Sequence, residues 1–170
     1  MEFKEYRGIA YCGMACVLCN FEGYDDCPGC SAEYNKKADD PEVIQCALDK
    51  GVGGCFDCGD FPCGKENDDC FVKQCVRKKG ADGCYACPGY PCGKNWGPLQ
   101  NKRNNAFIRY AREFGKQALI DRLRANYENG VVYHRPGVKS QNESAGDYDA
   151  PETEDEIYRL LRYGREKTHL

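Results

Sequence analysis

The residues of this chain best suited to chemistry are its cysteines, which number 14 among 170 residues. Several form Cys-x2-Cys pairs, in which one tight turn can present two sulfurs to the same metal ion. Four thiolates close a tetrahedral zinc site, and they can also hold an iron–sulfur cluster. The only histidines, His134 and His169, lie at no ligand spacing from the cysteines, and we expect both at the surface. The spacing therefore predicts metal–thiolate chemistry.

One cysteine phrase is written twice, at residues 46–65 and 75–94. Aligned without a gap, the two stretches are identical at 10 of 20 positions. Each reads Cys, eight residues, Cys, two residues, Cys, four residues, Cys, and so carries the four thiols of one closed site. A repeated frame of this kind indicates a structural unit. Upstream, two further Cys-x2-Cys pairs are separated by seven residues and could close another site.

We therefore divide the cysteines into three predicted quartets. The predicted ligands are Cys16, Cys19, Cys27 and Cys30; Cys46, Cys55, Cys58 and Cys63; and Cys75, Cys84, Cys87 and Cys92. Cys12 and Cys70 are left over, either as buried thiols or as additional or interchanged ligands. The predicted cofactor is Zn²⁺, about two to three ions, with an iron–sulfur cluster as the alternative. A closed site has no coordination position for water, so we expect no metal-dependent hydrolysis.

A second interpretation concerns Cys12, Cys16 and Cys19 alone. Their spacing equals the three-cysteine motif with which radical enzymes that use S-adenosylmethionine bind an iron–sulfur cluster, and a bare motif needs structural context. Such enzymes require a large α/β barrel, and a chain this dense in cysteine has no strands to spare for one. A catalytic thiol at Cys12 or Cys70 has no histidine partner at recognisable spacing. The sequence thus favours a protein that is not an enzyme.

The composition explains why metal would be needed. Leu, Ile, Val and Phe together number 28 of 170, below the roughly 20 % at which building a core becomes difficult. The net charge of −3 is too small for a self-repelling disordered chain. The 12 tyrosines and the cysteines must then take the place of aliphatic residues, and small cores of this type use disulfides or metals as staples.

The cellular compartment decides whether disulfides or metals stabilise such a core. The N-terminal residues carry charges at Glu2, Lys4, Glu5 and Arg7 and contain no apolar core of a secretory signal. No stretch approaches the roughly 18 apolar residues that a membrane span requires, so we expect no membrane association and a cytoplasmic location. Reduced thiols at close spacing favour metal over disulfide there, although cytosolic proteins of hyperthermophiles can also be rich in disulfides.

The predicted fold is a small, irregular, metal-stabilised α+β structure with duplicated units of a short helix and a zinc knuckle, followed by C-terminal helices. Residues 1–95 form the cysteine-rich region, opened by a strand or coil over 1–11. In the first unit, Asp40-Pro41-Glu42 opens a helix that Gly51 ends. In the second, the helix begins at Asn67 and ends at Gly80. Gly93 would let the chain turn away after the last ligand.

After residue 95 the cysteines stop, and residues 96–128 read as a pair of basic helices. Asn101–Phe114 and Lys116–Tyr127 carry apolar stripes and are separated at Gly115. Their outer faces are basic and could meet a protein or another anionic partner; they carry Lys94, Lys102, Arg103, Arg109, Arg112, Lys116, Arg122 and Arg124. A linker is expected over 129–152, tracking the surface with a short strand at Val131–Tyr133. Residues 153–170 form a clasp helix, opened by a capping box of Thr153 and Glu156.

The chain resembles a known family through phrases that cover nearly all of it: YCGMACVLC, CPGC, KKGADGCYACPGYPC, NYENGVVYHRPG and GDYDAPETEDEI. The family is prokaryotic and cysteine-rich, is catalogued as a domain of unknown function, and is presumed to bind zinc. The resemblance implies a metal-binding role for Cys12, Cys16, Cys19, Cys27, Cys30 and the repeat cysteines, and it implies no activity. Such proteins commonly have one helix-and-knuckle unit, whereas this chain has two, so the family's ligand sets do not transfer directly.

The sequence therefore predicts a non-enzymatic, zinc-stabilised module for binding or interaction. One alternative is an iron–sulfur protein for electron transfer or redox sensing, which the Cys-Pro steps at Cys27 and Cys87 resemble. A further alternative is binding of nucleic acid through the knuckles and the basic helices. The isoelectric point near 5.5 argues against the last possibility.

Overall fold

The computed structural model describes residues 2–20, 49–51, 71–93, 97–135, 137 and 146–165. Its α-helices are α1 (Phe71–Lys78), α2 (Lys102–Phe114), α3 (Lys116–Glu128) and α4 (Glu154–Tyr163). Short 3-10 helices cover Glu5–Arg7, Cys16–Leu18, Cys84–Ala86 and Gly97–Gln100. No helix in these ranges has the length and apolarity needed to cross a bilayer. The described part is thus built from helices and turns.

The ends of the helices follow the predicted capping signals. The Asn101 side chain accepts a hydrogen bond from the Arg103 backbone N–H at 2.9 Å and begins α2. Gly115, with φ of +95°, separates α2 from α3. Thr153 and Glu156 form the reciprocal capping box that begins α4. Gly80 lies beyond the end of α1 with φ of +63°, a left-handed conformation that favours glycine. The helix predictions for these segments are confirmed.

The predicted strand at Val131–Tyr133 is wrong, and the described ranges contain no strand at all. Val132 makes a local exchange instead: its N–H donates to the Asp147 carboxylate at 2.6 Å, and its carbonyl accepts from the Asp147 N–H at 2.7 Å. The Asp147 carboxylate takes the place of one of the two backbone groups that a neighbouring strand would contribute. The hydrogen bonding therefore does not extend into a β-ladder. The described part of the N-terminal segment is likewise coil with one 3-10 turn, not a strand.

Helix α2 lies at the centre of the core and packs against α3, α4 and the 3-10 helices at 84–86 and 97–100. Phe107 is fully buried on α2, edge-on to Tyr148 at 5.2 Å between ring centroids and stacked with Tyr133 at 6.2 Å. Aromatic pairs at such distances add about 0.5–1.5 kcal/mol beyond the area they bury. Tyrosine thus fills the space that aliphatic side chains fill in most cores.

The segment predicted as a surface linker contributes to this core. Val131, Tyr133, His134 and Tyr148 are all buried. The buried amide of Asn126 on α3 donates to the Tyr148 hydroxyl at 2.8 Å and also to the Leu161 carbonyl of α4 at 2.9 Å. This single side chain therefore joins α3, α4 and the loop that precedes α4, and the described ends of the loop do not track the surface.

Arg103 also departs from the sequence expectation, which placed it on the outer basic face. Only 1 % of it is exposed. Its Nη1 donates to both carboxylate oxygens of Asp149, at 2.8 and 3.0 Å, and its guanidinium lies 4.5 Å from the centre of the Tyr133 ring. The carboxylate comes from 46 residues along the chain, which no helical periodicity can anticipate. A buried charge requires such a partner, because desolvation without one is very costly.

Replacing Asp149 with Asn should destabilise the protein by about 3–5 kcal/mol, because it leaves the guanidinium of Arg103 buried without a counter-charge. A matched control exists on the same helix. Arg109 pairs with Asp155 across the same separation of 46 residues, but both of these side chains are largely exposed. Asp155→Asn should therefore cost about 0.2–1 kcal/mol. Urea unfolding at one metal concentration measures both, and equal costs would contradict the importance of the buried pair.

His134, which was expected at the surface, is fully buried. Its ring lies 4.2 Å from that of Tyr133. Burial, followed by the charge of Arg103, lowers the pKa of His134 from 6.5 to about 3. The folded protein therefore keeps this imidazole neutral where the unfolded chain would protonate it.

Stability should consequently fall as the pH drops from 6.5 towards 3, since only the unfolded state takes up the proton of His134 in that window. Above pH 6.5 this residue should contribute no pH dependence. In His134→Gln the unfolding free energy should fall less steeply over the same window than in the wild type, when both are measured by urea denaturation at matched metal concentration. Parallel curves for the two proteins would show that His134 is not the group responsible.

Candidate metal centre

Seven of the cysteines lie within the described ranges: Cys12, Cys16, Cys19, Cys75, Cys84, Cys87 and Cys92. They are thiols, with no disulfide joining any two of them. Cys92 is exposed and Cys75 half-buried, while the others are buried. The remaining predicted ligands fall outside the described residues, and so does Cys70; they are Cys27, Cys30, Cys46, Cys55, Cys58 and Cys63.

The two described Cys-x2-Cys pairs adopt the same turn. In the N-terminal turn, the N–H of Cys19 donates to the Cys16 carbonyl at 3.1 Å, and in the other the N–H of Cys87 donates to the Cys84 carbonyl at 3.3 Å. The second cysteine of each pair is extended, with φ/ψ of −73°/117° and −78°/123°. The two cysteines of each pair are three positions apart on one 3-10 turn, which is the arrangement that lets two thiolates bind one ion.

The second repeat brings its predicted quartet into one neighbourhood. Burial, followed by the negative charge that Cys92, Cys87 and Cys75 would carry, raises the pKa of Cys84 to about 12. The other three predicted sulfurs thus lie within electrostatic range of the Cys84 sulfur. The amine of Lys79, just beyond α1, lies 3.8 Å from the Cys87 sulfur and partly offsets that charge.

The four sulfurs of the second repeat are not arranged around a common point. Across the described ranges, no three side chains of His, Cys, Asp or Glu have an arrangement that could hold a metal ion. The donor chemistry nevertheless fits Zn²⁺, because four soft thiols lie near one another and one pair is already set on a knuckle turn. Cys92 is the exposed member of the predicted quartet.

The sulfurs of Cys12, Cys16 and Cys19 are not arranged around one ion either. All three residues lie in the described ranges, where no group of three such side chains could hold a metal. Cys16 and Cys19 share the 3-10 turn, whose base is held by the Tyr133 hydroxyl, the acceptor for the Ala15 N–H at 3.2 Å. Burial raises the pKa of Tyr133, so this phenol remains neutral. The geometry therefore gives no support to the three-cysteine cluster of radical enzymes.

Two arginines contact the turns in the same way, and sequence reasoning missed both contacts. Nη1 of Arg7 donates to the Cys19 carbonyl at 2.9 Å, and Nη1 of Arg112 donates to the Cys87 carbonyl at 2.8 Å. Arg7 is 2 % exposed, although the sequence placed it in a coil at the N-terminus, and Arg112 was assigned to a solvated basic face. Neither lies at any regular spacing from the cysteines, so no sequence signal pointed to them.

A groove of about 460 Å³ lies beside the second turn, lined by Tyr90, Pro91, Asn105, Arg109, Arg112, Glu113 and Glu154. Its wall is held by the Tyr90 hydroxyl, which donates to the Asn105 side chain at 3.0 Å. Burial raises the pKa of Glu154. Two guanidinium groups and two carboxylates line the groove, so it offers charges of both signs to a partner.

Comparisons with protein-family models, with curated proteins and with solved structures found no match. The resemblance to the cysteine-rich family therefore stays a prediction, and the assignment of a function depends on the residues themselves.

The exposure of the thiols predicts an order of chemical modification. In a brief alkylation pulse on native, reduced protein, Cys92 should be labelled first, because it is exposed, whereas Cys84 is 7 % exposed. Peptide mapping by mass spectrometry measures the rates, and labelling in denaturant should equalise them. Cys84 reacting as fast as Cys92 in the native protein would contradict the geometry.

Proposed function

We propose that this protein is a non-enzymatic binding module whose fold is stabilised by zinc held in four-cysteine sites. The observation that carries the proposal is the position of Cys75, Cys87 and Cys92 within electrostatic range of Cys84, which shares a 3-10 turn with Cys87. The identical backbone of the turn at Cys16 and Cys19 supports a second site of the same kind, completed by Cys27 and Cys30.

Zinc would supply the folding free energy that the aliphatic residues do not. Formation of a structural zinc site contributes about 10–16 kcal/mol of apparent free energy, whereas a whole domain is stable by only about 5–15 kcal/mol. One site can therefore decide whether the chain folds. A four-thiolate site is also saturated, since it leaves no position for water or substrate, and this agrees with a role in binding rather than in catalysis.

The partner would be a protein with a mixed-charge surface, received at the groove beside Tyr90 or on the exposed basic side chains of α2 and α3. Arg109 and Arg124 are examples of such side chains, and each is more than one third exposed. Both already pair with carboxylates, Asp155 and Glu5 respectively, so this surface is balanced in charge rather than strongly basic. Balanced charge favours a protein over nucleic acid, whose phosphates select basic patches. A cytoplasmic setting completes the proposal.

Removing the metal tests the proposal. A strong chelator should abolish cooperative unfolding, and zinc should restore it, because the apo chain has too small an aliphatic core. Native mass spectrometry of anaerobically prepared protein should find about two to three zinc ions. Cys84→Ser should lower that count by one, whereas Cys12→Ala, which alters an equally buried cysteine outside the predicted quartets, should not.

Cooperative unfolding retained in metal-free protein would contradict the proposal. Coloured protein that contains iron and acid-labile sulfide would favour the iron–sulfur alternative, since thiolate ligands alone do not choose between the two metals. Salt-sensitive binding to single-stranded RNA or DNA would favour the nucleic-acid alternative.

A further inference from the structure

The carbonyl of the second cysteine is the shared feature of the two turns that needs explaining. Cys19 and Cys87 end their 3-10 turns in extended conformations, so their carbonyls leave the hydrogen-bonding pattern of the turn. Both residues are buried, at 8 % and 6 % exposure. A buried carbonyl without a donor costs roughly 1–3 kcal/mol, and an arginine meets this need at both turns. The Cys87 carbonyl also accepts from the Tyr90 N–H at 3.2 Å, so the contact from Arg112 does more than give this carbonyl a hydrogen-bond donor.

The two arginines reach their carbonyls from unrelated parts of the fold. Arg7 belongs to a 3-10 helix and precedes Cys19 by 12 residues, whereas Arg112 belongs to α2 and follows Cys87 by 25. Neither lies in the sequence repeat. Duplication of a unit therefore does not explain why both turns have an arginine contact. A physical requirement that the two turns share explains it.

That requirement is positive charge beside a metal–thiolate group. Each cysteine that binds a metal loses its proton, and a closed four-thiolate zinc site carries two net negative charges. A guanidinium remains charged at every relevant pH and keeps several donors in a fixed plane. When it is bonded to the backbone of the ligand residue, it both fixes the orientation of the turn and offsets the thiolate charge without competing for the sulfur.

We infer that Arg7 and Arg112 are positioning residues of two metal centres, each holding the second cysteine of a knuckle turn in its metal-binding orientation. The inference depends on the proposed zinc sites and adds to them the residues that hold the cysteine ligands in place. Loss of groups that orient a metal ligand typically lowers metal affinity by about 10–100-fold. Arg112 is the better residue to change, since it is exposed, whereas only 2 % of Arg7 is exposed.

The test compares Arg112→Gln, Arg112→Lys and Arg109→Gln in the full chain. Arg109 is the control because it lies on the exposed part of the same helix and donates to Asp155 rather than to a cysteine. Zinc affinity is measured by competition with a chromophoric chelator, and Co²⁺ substitution reports the geometry of the thiolate site through its visible spectrum. Arg112→Gln should bind zinc about 10–100-fold more weakly than Arg109→Gln and show an altered Co²⁺ spectrum. Arg112→Lys should recover part of the affinity, because it keeps the charge and loses the planar donors.

The outcomes separate the inference from the proposed function. Wild-type protein that binds neither zinc nor Co²⁺ would overturn the proposed function, and this inference with it. Wild-type protein that binds zinc, with Arg112→Gln within twofold of Arg109→Gln, would overturn the inference alone. If Arg112→Gln does not fold, the Lys variant decides the matter: affinity and Co²⁺ spectrum equal to those of the Arg109 control would contradict a role for the guanidinium geometry.

Discussion

Helix α2 is anchored to the rest of the described structure by two arginine side chains, and the other elements depend on that anchoring. Near its first turn, Arg103 donates to Asp149 and lies over the ring of Tyr133 inside the core. Near its last turn, Arg112 donates to the backbone of the turn that carries Cys84 and Cys87. One helix therefore connects the tyrosine-rich core to the cysteine-bearing turn.

The core around α2 shows how a chain poor in aliphatic residues can still pack. Tyr133 and Tyr148 are buried to their hydroxyls, and each hydroxyl has a partner: the Ala15 backbone N–H in the first case and the Asn126 amide in the second. Buried phenols are tolerable only when they are hydrogen-bonded in this way. Such a core is specific in its pairing but small in apolar area, which leaves room for metal sites to contribute to stability.

Local signals in the sequence predicted the helices well. The N-cap at Asn101, the glycine at 115 and the capping box of Thr153 and Glu156 act within one turn of chain, so they can be read without knowing the fold. The sulfur pairs could be predicted for the same reason, because a Cys-x2-Cys turn is a local structure.

What the sequence could not supply were contacts between distant residues. The burial of Arg103 depends on Asp149, His134 is buried against the ring of Tyr133, and Arg7 donates to a carbonyl 12 residues away. Each is a polar residue that a composition argument assigns to the surface, and each becomes buried only because a partner lies opposite it. The β element and the linker failed similarly, since side chains and core packing replaced the expected backbone pairing.

The most direct test of the account is zinc K-edge X-ray absorption on protein purified without oxygen. We predict a first coordination shell of four sulfur atoms at about 2.3 Å, with no light-atom scatterer. A shell containing nitrogen or oxygen at about 2.0–2.1 Å, or protein without bound zinc, would contradict the claim that cysteine thiolates close the sites around which this chain folds.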